Sequence, residues 1–97
     1  MKTLIVILAI TLTTSAQAGT CENLSEVSGA IMTVRQSGTP MADIWNIKTT
    51  KRMSEYGHAK IKEAYSIPRY ETQEYQQKEI QDFKNDAFLE CVNVLNK

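Results

Sequence analysis

Ile31-Met-Thr-Val-Arg-Gln-Ser-Gly-Thr-Pro-Met41 places the end of one helix and the start of another within eleven residues. Upstream of it, Leu24, Val27, Ile31 and Val34 recur at spacings of three, four and three, which is one face of a helix. Gly38 then supplies the stop, because a residue without Cβ leaves the last helical turn at no steric cost. Thr39-Pro40 reopens a helix: threonine caps, and proline loses nothing at the first helical position. Arg35 falls in the last turn, where a cation meets the free carbonyls and the negative end of the helix dipole. The polar cluster therefore reads first as punctuation. The open question is whether Arg35 and Gln36 keep donors for a partner.

The same spacing logic runs through the rest of the chain. Asn23 followed by Glu26 resembles a capping box and sets the first helix start near Leu24. A short second helix is expected to about Lys48, with Met41, Ile44 and Trp45 inward. Thr49-Thr50 offers a cap for a third, which carries Met53, Gly57, Ile61, Ala64 and Tyr65 on one face. Gly57 weakens that helix by about 1 kcal/mol relative to alanine. Pro68 ends it before Ile67, since a residue ahead of proline is pushed out of the helical region. The last helix starts near Thr72 and carries Ile80, Phe83, Ala87, Cys91 and Val94, with Phe88, Val92 and Leu95 widening the stripe. Its first half, Glu74 to Glu79, is polar. With no repeat and no period-2 run, the expected fold is all-α: a small antiparallel domain of about four helices.

The N-terminus, MKTLIVILAITLTTSAQA, has the three parts of a cleaved secretory signal: Lys2, an apolar run from Leu4 to Leu12, and Ala16-Gln17-Ala18. The run is shorter than the roughly 20 apolar residues of a membrane span. Cleavage is expected between Ala18 and Gly19, giving a signal over 1–18, a single helical domain over 19–97 and no membrane span afterwards. Cys21 sits poorly for a lipid anchor, since Gly19-Thr20 precedes it. The periplasm is the expected location, with secretion as the alternative.

Loss of Lys2 leaves ten Lys or Arg against eleven Asp or Glu, a net charge of about minus one. No electrostatic case for nucleic acid survives. A domain of about 79 residues has a core of marginal strength on its own. Its two cysteines, Cys21 and Cys91, allow one intramolecular disulfide, as an exported protein would form. The competing readings are a bridge between chains and a Cys91 nucleophile, which would need an activating neighbour when the only histidine is His58.

Chemical motifs are scarce. His58 has no second histidine and no spare cysteine to complete a zinc set, so it reads as a surface or structural residue. Glycine-rich phosphate loops and serine elbows are absent. Glu74, Glu79, Asp82, Asp86 and Glu90 alternate with Lys78 and Lys84 as a solvated helix face, not as an acid/base pair. No catalytic residue, metal or cofactor is assigned. Arg69 with Tyr65, Tyr70 and Tyr75 gathers at the Pro68 corner, the residue types favoured at binding hot spots. The plainer reading has those tyrosines pack the corner and donate to free carbonyls.

Cys21-Glu22, Ile31-Met32, Arg35-Gln36-x-Gly38, Met41, Ala64-Tyr65-x-x-Pro68-Arg69 and Phe83-x-Asn85 with Cys91 together resemble small uncharacterised exported proteins of bacteria and their phages. The resemblance spans nearly the whole of 19–97. It implies export, a bacterial or prophage origin and a helical disulfide domain, and it brings no catalytic residues. The expected function is a non-catalytic exported protein that binds a protein partner in the bacterial envelope, with Arg35, Gln36, Arg69 and Tyr70 as contacts. The alternative is a periplasmic acid-stress chaperone, whose eleven carboxylates would protonate at low pH and open a marginal fold.

Overall fold

Gly38 adopts φ +89°, the left-handed conformation that releases a chain from a helix, and it is the only described residue with positive φ. It follows α1 (Lys2–Gln36), which continues through α2 (Met41–Trp45) to α3 (Lys51–Tyr65) and α4 (Gln73–Leu95). The computed structural model describes residues 2–46 and 51–95, with side chains over 19–46 and 53–95. The described chain is all-α, as expected. Among the described residues, no helix is long and apolar enough to cross a membrane.

Several boundaries differ from expectation. α1 does not start near Leu24: it begins at Lys2 and passes unbroken through Asn23 and Glu26. Both residues are exposed inside the helix, where the backbone amides already have acceptors, so the capping box has nothing to cap. Cys21 accordingly lies within α1, not ahead of it. The signal expected over 1–18, up to Ala18, falls outside the described side chains. At α2, Pro40 itself occupies the N-cap with no side-chain cap, and Thr39 instead pairs its hydroxyl with that of Ser37 at 3.1 Å. α2 ends at Trp45 with Asn46 as its C-cap, short of Lys48. The Thr49-Thr50 cap lies outside the described residues.

The later boundaries match their local causes. Ile67 donates back to the Ala64 carbonyl as α3 unwinds, with Pro68 directly behind it. Thr72 caps α4, its hydroxyl accepting from the Tyr75 amide at 3.3 Å. Phe83 and Ala87 are buried, but Val94 and Leu95 are exposed because they lie past the disulfide, beyond the buried cluster. That cluster joins Ile31 and Met32 of α1, Ile44 of α2, Ile61 and Ala64 of α3 and Phe83 of α4.

α1 and α4 run antiparallel in strict register. Cys21 bonds Cys91, with 5.5 Å between their Cα atoms, and Ser25 Oγ donates to the Lys84 carbonyl at 2.9 Å. The Tyr70 amide donates to Gln36 Oε1 at 2.8 Å. Close approach depends on small residues: Ser25, Ser28 and Gly29 are all buried. A Cβ on Gly29 would stand 2.5 Å from Lys84 Cγ, whose stem lies across that gap while its ammonium reaches Glu26 at 3.2 Å. α3 runs in the same direction as α1. Tyr56 meets Ser28 at one end, and Arg35 reaches the Ile67 carbonyl at the other. The Ser37 to Asn46 segment therefore carries the chain away from the top of α1, with Ile44 and Trp45 set between the two helices.

Candidate functional site

The two corners that are 30-odd residues apart in sequence form one structure. Arg35 Nε donates to the Ile67 carbonyl at 3.0 Å, and its guanidinium lies 5.0 Å above the centre of the Tyr65 ring. Gln36 is 2% exposed and fully engaged. Its Nε2 donates to the Pro68 carbonyl at 3.0 Å and to Met32 Sδ at 3.5 Å, while Oε1 accepts from Tyr70. Arg69 Nε returns the contact, donating to the Gln36 backbone carbonyl at 2.7 Å. Arg69 also lies over Gly38, with Nε 3.3 Å from where a Cβ would stand. Thus the end of α1 and the α3–α4 corner satisfy each other's free backbone groups.

The sequence question about Arg35 and Gln36 has a divided answer. Gln36 turns wholly inward and braces the corner. Arg35 is half-buried and bonds through Nε alone, to a carbonyl of the opposite corner instead of its own helix end. Arg69 is exposed, Tyr70 half-buried, and Tyr75 is 59% exposed with its ring centre 6.2 Å from that of Tyr70. Tyr65 follows the plainer reading: its hydroxyl donates to the Thr39 carbonyl. Burial raises the Tyr65 pKa, opposed by the Arg35 cation and helped by Asp43.

Lys60 is a feature that the sequence does not single out. It is 5% exposed on α3, with Nζ 2.7 Å from Glu90 and 3.1 Å from Glu63. The rings of Tyr56 and Phe83 lie 5.7 and 5.9 Å away. Burial opposes its charge, but the hydrogen bonds and negative charges of Glu90 and Glu63 outweigh that and raise its pKa. Lys60 and Tyr65 thus both hold their protons more tightly folded than unfolded. Their stabilisation is complete below the ordinary values of 10.5 and 10.0 and fades as pH climbs through the higher folded values. Urea midpoints should begin to fall as pH rises above about 10, and a Lys60→Met, Tyr65→Phe double variant should flatten that limb. An unchanged slope in the double variant would refute the assignment.

A second feature is an apolar cleft of about 300 Å³ between α1, α2 and α3. Trp45 and His58 stack at its edge, with ring centres 3.8 Å apart and planes 4° from parallel. His58 Nε2 lies 2.8 Å from the Trp45 carbonyl, which can only accept, so the proton sits on Nε2. His58 is therefore a structural residue that fixes the tryptophan. Among the described residues no cluster of three or more His, Cys, Asp or Glu is placed to hold a metal. Neither the cleft nor the buried Lys60 had a sequence signal stronger than helical spacing. No protein-family model, no curated protein and no solved structure matches this chain, so its functional reading rests on the geometry of the corner and the cleft.

Proposed function

We propose that this is an exported, non-catalytic binding protein of the bacterial periplasm, which grips a protein partner in the envelope through the Arg35, Arg69, Tyr70 and Tyr75 surface. The observation that carries this reading is the convergence of the two corners on buried Gln36. It sets planar guanidinium and phenol groups on a braced backbone at one end of the domain. Aromatic side chains, and arginines already held by backbone carbonyls as Arg35 and Arg69 are, lose less freedom on binding, and both types dominate hot spots. The Cys21–Cys91 bridge suits an oxidising compartment.

A photo-crosslinking residue at Tyr75, incubated with envelope extract, should give one discrete adduct that disappears with Arg69→Ala. The same residue at Gln81, exposed on another face of α4, should give none. No adduct at 75, or an equal one at 81, would end this reading. The acid-stress chaperone has one observation of its own. Protonating Glu63 and Glu90 would strand the Lys60 cation between two rings, a costly state that would loosen α3 from α4. That reading requires client protection at about pH 2 with none at neutrality, and a domain folded and inert at the lower pH would exclude it.

A further inference from the structure

We propose that the cleft between α1, α2 and α3 binds an uncharged apolar small molecule of about twelve carbons. The size follows from the volume: a dry apolar cavity of about 150 Å³ takes up benzene, and this one holds about 300 Å³. The chemistry follows from the walls. Val27, Ile31 and Val34 face Ile44, Trp45 and Ile61, and among the described residues no Lys, Arg, Asp or Glu lines the space. A charged ligand would lose its hydration there with nothing in exchange.

Gly57 is the second, independent observation. It lies in the middle of α3 with ordinary φ, where glycine weakens a helix, and a Cβ built on it meets nothing within 4 Å. Neither backbone strain nor close packing asks for a glycine at this position. What its missing side chain does is keep the cleft wall open, since Gly57 is one of the lining residues. The aromatic edge is preformed: the stack on His58 and the bond from Nε2 hold Trp45 in place, so a ligand meets an ordered aromatic surface. Among the described residues, Ser54 supplies the one hydroxyl of the lining side chains, enough to orient a single polar group on an otherwise apolar ligand.

Trp45 is the only tryptophan in the chain, so its emission reports occupancy directly. The neutral twelve-carbon fluorophore N-ethyl-1-naphthylamine, titrated into the folded, disulfide-bonded protein, should bind saturably at one site, shift its emission to the blue, and quench Trp45 in parallel. Gly57→Leu, which grows into open space from within a helix, should weaken binding at least about tenfold with helical circular dichroism unchanged. Ala30→Leu narrows the cleft from the α1 side and should do the same. Val94→Ser, at an exposed apolar position on α4 that does not line the cleft, should leave the affinity within about twofold. Non-saturable uptake, full affinity in both leucine variants, or equal loss in Val94→Ser would overturn the proposal. Photo-crosslinking at Tyr75 tests the corner separately and does not depend on this result.

Discussion

Replacing Cys21 and Cys91 together by serine should lower the free energy of unfolding by roughly 4 kcal/mol, the loop-closure value for the 70-residue separation that the bridge spans. Whole domains are stable by about 5–15 kcal/mol, and small ones sit at the low end. The variant should therefore be substantially unfolded at 37 °C while the oxidised protein remains folded. The loss should be large because the bridge directly joins the start of the described side chains to the end of α4. Beyond Cys91, Val94 and Leu95 are exposed and contribute little packing. Urea titration followed by circular dichroism, oxidised protein against the double serine variant, measures the difference. A change below about 1 kcal/mol would show that helix packing alone carries this end of the domain.

Gln36→Leu should cost about 2–4 kcal/mol although leucine is apolar, similar in bulk and a better core residue by any hydropathy rule. The side chain it removes serves the Pro68 carbonyl and the Tyr70 amide at once. Leucine would leave both without that partner. Each unsatisfied buried group costs about 1–3 kcal/mol, discounted here because Tyr70 is only half-buried. Amide exchange at Tyr70 should accelerate in the variant, which separates local opening from a general loss of stability. A leucine variant as stable as the parent, with Tyr70 still protected, would mean that water replaces the glutamine without cost.

The fold was legible where local chemistry and periodicity agree. Gly38, Pro68 and Thr72 each end or start a helix for reasons contained within a few residues, and the α3 stripe of Ile61 and Ala64 is buried as its spacing demands. Asn23 and Glu26 misled because a capping box has meaning only where the helix begins, and nothing in Gly19-Thr20 broke α1. Gly29 was illegible because its role depends on the stem of Lys84, 55 residues away in sequence. Lys60 could not be told from its exposed neighbours Ala59 and Lys62 until Glu90 was brought beside it. Arg35 with Gln36 and Arg69 with Tyr70 stand out in the sequence as two separate corners. Their union, and the inward turn of Gln36, arise only from tertiary register.

The Cys21–Cys91 bond also fixes where force and attachments act. It ties α1 to α4 at one level, and Gln36 lies 15 residues further along α1, a rise of about 22 Å. Tension applied between the chain segments that flank the two cysteines passes through the sulfur–sulfur bond and leaves the helices between them unloaded. A tether attached beside Cys21 or beside Cys91 would share that level. The Arg69 and Tyr75 surface would then face away from it, like a tool held by its handle.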